Sequence, residues 1–256
     1  MRTLVSAVLD LLLPSLCPGC QIAGGPGLCP TCIHALPRLE HPCPWCGAAR
    51  RDLDARCGAC DGAGLAHLQQ VRVDHPYHGG IAHLVGLAKT VGRPAAVRAL
   101  GDLLPDPPDD APNGGVVVPV PASPGRRPGP HLGSALARAG ARRWHLPLRH
   151  LLTTTRLGAE QHRLSPAERR ANVVGLFRCV KPAPAYVVLV DDLITTGATA
   201  SAAAAALRQA GAKRVDLVCL ARTPGPGEYA TTTKKNIPDH TGGSGAAALS
   251  GGRQTP

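Results

Sequence analysis

Apolar residues along the chain fall into runs of two lengths. Short unbroken stretches at Val116–Val120 (VVVPV), Tyr186–Val190 (YVVLV) and Val215–Leu220 (VDLVCL) predict strands, two of them buried on both faces. Helical spacing covers Ile81–Leu104, His131–Arg143 and Thr199–Ala210, with a break expected in the first at Gly92–Pro94. Strands alternating with helices predict an α/β fold: a parallel sheet with right-handed crossovers, flanked by helices, whose ligands sit at the carboxyl ends of the strands. At the start of the chain, Leu4, Val8, Leu11 and Leu12 share one face of a short amphipathic helix over residues 1–16. Asp10 interrupts its apolar run, Pro14 follows and there is no A-x-A cleavage site, so a secretion signal is not expected. No run approaches the length of a membrane span. Residues 224–256 are rich in Gly, Ser, Thr and Pro without periodicity and are expected to be disordered.

Composition changes this picture in two places. Aromatic residues make up only 2% of the chain, against 30 Gly and 26 Pro, so the core must be filled by Ala, Val and Leu. Cysteine divides the chain: eight of the ten lie between residues 17 and 60, followed only by Cys179 and Cys219, which are expected to pack as buried apolar residues. The organisation expected is therefore a small module over 17–66 and a larger domain over 71–223. The formal charge is +11, and the excess is local. Between Arg126 and Arg178 there are eleven arginines against Glu160 and Glu168, with no lysine. Such a stretch favours a polyanion, whether diphosphate, nucleotide or nucleic acid; a solvated basic face is the plainer explanation.

The first candidate chemistry lies in Val187–Thr199, VVLVDDLITTGAT. A buried strand ending at Val190 runs into two aspartates and then a turn that opens an alanine helix. Backbone N–H groups around Thr195, Thr196, Gly197, Ala198 and Thr199 would face outward at a helix N-terminus, where unpaired donors and the macrodipole favour a phosphate. Gly197 permits close approach and an unusual φ, and the threonines add hydroxyl donors. Ionised Asp191 and Asp192 accept hydrogen bonds only, which suits ribose hydroxyls or metal-bound water. The alternative is a plain polar junction with Thr199 as a helix cap. A P-loop nucleotidase is excluded, because no G-x-x-x-x-G-K-[ST] occurs.

The second lies in four Cys-x-x-Cys knuckles, Cys17/Cys20, Cys29/Cys32, Cys43/Cys46 and Cys57/Cys60, separated by eight, ten and ten residues. Each turn presents two thiolates to one side of a Zn²⁺ ion, and two turns close a tetrahedron. Two structural Zn²⁺ sites follow, with sequential pairing of knuckles preferred over cross-bracing; a disulfide framework is the less favoured alternative. Thiols used in this way belong in a reducing cytoplasm.

With these motifs in view, Val187–Thr199 resembles the type I phosphoribosyltransferase signature, and the chain up to about residue 223 resembles the ComF family of competence-related proteins. The strand and loop VVVPVPAS (Val116 to Ser123), followed by Arg126 and Arg127, look like that family's diphosphate loop. AEQHRLSPAERRANVVGLF (Ala159 to Phe177), with Gln161, Arg163, Arg169, Arg170 and Asn172, matches its Q…L…R…N…F block, a mobile hood in the resembling enzymes. Lys89 resembles a further family lysine, and the knuckles stand where the family carries its zinc module. The chain departs from the family at RRPGPHLGSALA, where an Arg-Gly-Phe-Asn type segment is usual. The resemblance implies a type I phosphoribosyltransferase fold with an N-terminal double zinc ribbon. It also implies binding of 5-phosphoribosyl 1-diphosphate with Mg²⁺, and Asp191 and Asp192 as catalytic residues if phosphoribose is transferred to an acceptor. The competing functions are a DNA-uptake factor contacting single-stranded DNA or a competence-machinery protein, with the nucleotide-like site regulatory or residual, and a zinc-and-phosphate scaffold without turnover.

Overall fold

The computed structural model describes residues 16–22, 27–122, 131–155 and 175–225. Expectations for the helix over 1–15 and for the tail beyond 225 lie outside these residues. Among the described residues no helix is long and apolar enough to cross a membrane.

The main sheet is parallel, in the order β1 (Val71–Arg72), β7 (Arg214–Arg222), β6 (Tyr186–Ile194), β3 (Val116–Pro119), with β2 (His75–Pro76) continuing the β1 edge along β7. This is the α/β architecture expected from the alternating pattern. The predicted strands carry the centre of the sheet, and their Val and Leu residues are buried on both faces. Val187 and Leu189 belong to the core on one face, with helix α5 (Ala198–Gln209) and its alanines. Val188 and Val190 belong to the other, with α2 (Gly79–Gly86), α3 (Pro94–Asp102) and α4 (Leu132–Arg143). Small alanines bring α5 close to the sheet, so an aromatic-poor chain still closes its core.

Three details differ from the sequence reading. Strand β6 does not end at Val190. It runs to Ile194, because β7 continues beside it and pairs Asp191 with Cys219, Leu193 with Ala221 and Ile194 with Arg222. The two aspartates therefore sit on the strand's end rather than in a loop. The long first helix breaks at Gly92–Pro94 as expected, Gly92 taking a left-handed φ of 62° and Pro94 starting α3, but α2 first passes into a π-helical turn at Leu87–Val91 that the sequence did not announce. A two-stranded antiparallel ribbon, β4 (Leu152–Thr154) with β5 (Phe177–Cys179), packs by α5. Three-residue strands carry too little periodicity to be read in sequence. The cysteine region adds a short helix, α1 (Pro30–Ala35), after Cys29.

Candidate functional site

The carboxyl ends of β6 and β7 gather the candidate groups. Past Ile194 the chain turns through exposed Thr195 and Thr196 to buried Gly197, whose φ of 78° is left-handed, and α5 starts at Ala198. The Ser201 N–H closes the first helical bond onto Gly197 O at 2.9 Å. Gly197, as N-cap, has no side chain to return a hydrogen bond to the first turn, and the Ala198 N–H reaches Thr196 Oγ1 only at 3.4 Å. The turn thus presents helix N-terminal donors beside exposed threonine hydroxyls, an arrangement that attracts an anion.

Beside it, Asp191 and Asp192 form a coupled pair. The Asp192 N–H donates to Asp191 Oδ1 at 2.8 Å, and Lys89 Nζ lies 2.6 Å from Asp192 Oδ2. Lys89 comes from the π-helical turn, a distortion frequent at functional sites. Burial, and next the neighbouring Asp192 carboxylate, push the Asp191 carboxyl up to about 8. Raised in this way, the Asp191 carboxyl keeps its proton to higher pH than a free carboxyl and, while it does, can donate a hydrogen bond. Lys89 faces the pair from the side of Asp192. Helix α4 adds a close wall, since a Cβ on Gly133 would lie 3.0 Å from His131 Cε1 and 3.8 Å from Asp191 Oδ1. His131 itself caps α4, its Nδ1 accepting from the Ser134 N–H at 3.3 Å.

Of the basic candidates, Lys89 is thus brought to the acidic pair. Ser123, Arg126, Arg127, Arg163 and Arg169 lie outside the described residues, as do Gln161, Arg170 and Asn172. Within the arginine-rich stretch, Arg143 is engaged in structure: it pairs with Asp106 at 3.1 Å and donates to Gly101 O at 3.2 Å, while Arg138, Arg142 and Arg149 are exposed.

The knuckles gather into two groups, Cys17/Cys20/Cys29/Cys32 and Cys43/Cys46/Cys57/Cys60, each with all four Sγ atoms within 4.8 Å of one another. This is the sequential arrangement. A tetrahedron with Zn–S bonds of about 2.3 Å separates its sulfurs by about 3.8 Å. The Sγ atoms lie 3.8 Å apart in Cys20/Cys29 and Cys43/Cys60 and 3.5 Å apart in Cys46/Cys57, and every cysteine is a free thiol. These spacings fit a closed metal centre and are far longer than the roughly 2.05 Å of a disulfide. Burial raises the Cys17 thiol, but backbone N–H donors, Cys29 first, outweigh it and lower the group to about 6, while burial and the neighbouring thiols push Cys32 of the same group up. Elsewhere Cys219 is buried as expected, whereas Cys179 is only half-buried, with its thiol 3.0 Å from Lys181 O.

Two residues of this region have no local signal in the sequence. Buried Arg222, at the end of β7, donates from Nη1 to Cys46 O at 3.1 Å. Leu65 lies against Gly197, its Cδ1 2.5 Å from where a Cβ would stand. Both connect parts of the chain remote in sequence.

Fold and site define an α/β protein with a strand–turn–helix junction at the carboxyl end of its sheet and a double four-cysteine module at its amino-terminal side. No protein-family model matches the chain. Over 234 residues it is 30% identical to DNA utilization protein YhgH of Escherichia coli O157:H7, covering 83% of this chain and 99% of the relative. It is 29% identical over 234 residues to the protein of that name from Salmonella typhimurium, with the same coverage. The chain belongs to the family of DNA utilization protein YhgH.

Proposed function

We propose that this chain binds 5-phosphoribosyl 1-diphosphate, or a closely related sugar phosphate, at the β6–α5 junction, in the service of DNA uptake or use. The observation that carries this reading is the junction itself: anion-seeking donors at Thr195–Thr199 directly beyond two carboxylates on the strand end. One end suits a 5-phosphate and the other ribose hydroxyls. Asp191 and Asp192, with oxygen donors at the strand end, are of the kind that hold Mg²⁺ through water, and the ion would screen the diphosphate charge. Lys89 moderates the acidic pair, and Arg126 and Arg127 are the proposed diphosphate contacts. The eight knuckle cysteines hold two structural Zn²⁺ ions in this reading. If phosphoribose is transferred, the C1–diphosphate bond breaks as a nitrogen acceptor bonds C1 and loses its proton. Asp192, joined by Asp191 once a bound cation has displaced the Asp191 proton, would then stabilise positive charge growing at C1, by electrostatics and positioning rather than by a covalent nucleophile.

Calorimetric titration of phosphoribosyl diphosphate and Mg²⁺ tests the ligand. Wild type is expected to bind and the Asp191→Asn/Asp192→Asn variant to lose most of that affinity; no binding by wild type would end this reading. A second reading, favoured by the relatives' name, is a non-enzymatic factor that contacts single-stranded DNA. It predicts DNA affinity that falls steeply with salt, with a shallower slope after Arg169 and Arg170 are replaced by Gln.

A further inference from the structure

The two cysteine groups are not equivalent in where they lean. Around the second, the chain is fastened to the carboxyl end of the sheet at several points. The Val71 N–H donates to Pro44 O at 2.7 Å, and Arg222 Nη1 donates to Cys46 O at 3.1 Å. Gly47, with φ 77°, lies so close to β1 and the residue after it that an added Cβ would lie 3.2 Å from Val71 Cγ1, 2.6 Å from Val73 Cγ1 and 3.8 Å from Ile194 Cδ1. Ile194 is the last residue before the Thr195–Gly197 turn, and its carbonyl accepts from the Thr223 N–H at 2.8 Å.

Leu65 completes the connection. It follows the last knuckle, and its N–H donates to Trp45 O, inside the Cys43–Cys46 knuckle, at 3.0 Å. Its side chain packs against the buried group of Cys43, Cys46, Ala48 and Cys57. The other end of the same side chain meets Gly197, where a Cβ would stand 2.5 Å from Cδ1 and 2.6 Å from Cδ2. Glycine at 197 is favoured by its left-handed φ, and any side chain there would have to displace the end of Leu65. The first cysteine group leans elsewhere: Leu28 and Leu36 join the core under α2 and α3, and Gly27 faces Asp102.

We infer that the second four-cysteine centre is a positioning device for the anion-binding turn, with Leu65 the positioning residue that transmits its state. Metal in Cys43/Cys46/Cys57/Cys60 fixes the knuckle carbonyls that hold Leu65 and Arg222, and Leu65 holds the turn in the shape that aims its N–H groups outward. Loss of that metal frees the turn, and anion affinity falls; loss of the first metal does not reach it. This rests on the ligand reading above for what is bound, but not for the mechanical coupling.

The full-length chain with its metal, alongside Leu65→Ala, Leu65→Met, Cys60→Ser and Cys20→Ser, separates the two. Metal content, hydrogen exchange of the Ser201 amide bonded to Gly197 O, and affinity for phosphoribosyl diphosphate with Mg²⁺ are read for each. Leu65→Ala is expected to retain both metal ions, to speed exchange at Ser201 and to weaken binding about tenfold, a change of about 1.4 kcal/mol. Leu65→Met should restore both readouts. Cys60→Ser should act like Leu65→Ala or more strongly, and Cys20→Ser should leave turn exchange and affinity at wild-type values. Unchanged exchange in Leu65→Ala, or equal effects of Cys20→Ser and Cys60→Ser, would overturn the inference. If wild type fails to bind the sugar phosphate, the ligand reading falls while the exchange data still decide the coupling.

Discussion

Asp191 is the residue whose chemistry depends most on its surroundings. Its ordinary value is 3.8, and burial beside Asp192 raises it to about 8 in the fold. Between those values the folded state holds a proton that the unfolded chain has released. The stability this contributes is fully present below pH 3.8 and is lost as pH rises through about 8. Asn at 191 keeps the Oδ1 that accepts from the Asp192 N–H and cannot ionise. Asp191→Asn is therefore expected to melt close to wild type near pH 4 and several degrees above it near pH 8.5, by thermal unfolding across that range. A constant offset at every pH would show that burial is not what perturbs this group. Lys89 explains why the pair is tolerated, since its ammonium lies 2.6 Å from Asp192 Oδ2.

At the scale of the element, β6 and β7 carry different tasks at their two ends. Their carboxyl ends hold the candidate site, and their amino ends hold a charge cluster built on Arg214 and Asp216. Asp216 is wholly buried; it accepts from Arg214 Nε at 2.8 Å and from the Gln70 N–H at 3.1 Å. Arg214 also meets Asp110 at 2.9 Å and lies over the Tyr186 ring at 5.8 Å. Removing one partner of a buried ion pair leaves an uncompensated charge, at a cost of about 3 kcal/mol. Arg214→Met should lower the urea midpoint accordingly, and adding Asp216→Asn should recover part of the loss. Sugar-phosphate affinity measured on the folded variant should not change, because this cluster lies at the opposite end of the strands from Gly197. Reduced affinity at unaltered fold would mean that the two ends communicate.

For the molecule as a whole, the cysteine module and the sheet share one boundary. Leu39, Leu65 and Ala49 pack into the same apolar cluster as Val71, Leu217 and the α5 alanines. His75, buried in β2, joins the parts again through Nδ1, which donates to Pro37 O at 2.7 Å. Structural metal binding is worth about 10–16 kcal/mol of folding free energy in small modules, and part of that should reach the sheet through this packing. Calorimetry of the metal-loaded chain should show one cooperative transition, moved down by about 10 °C or more after chelation. Two separable transitions, with the upper one untouched by chelator, would show that the module and the sheet fold independently.

The chain by itself determined the classes of element and the chemistry of each motif, because these depend on short-range order. Unbroken Val and Leu runs specify buried strands, Gly92 and Pro94 specify a helix break, and Cys-x-x-Cys turns can present sulfur only to one side. The aspartates and the Thr-Thr-Gly turn were legible for the same reason: the nine consecutive residues from Asp191 to Thr199 carry the donors and acceptors. Everything that depends on distant segments meeting was decided by the tertiary structure. The pairing of β6 with β7 extends the strand under Asp191 and Asp192, and the π-helical turn of a separate helix delivers Lys89 to them. Burial then raises Asp191 more than adjacent Asp192 does, and burial is not written in the neighbouring residues. Leu65 and Arg222 look like ordinary core and surface residues until the fold sets them between the second cysteine group and Gly197, since packing contacts have no period and leave no pattern along the chain.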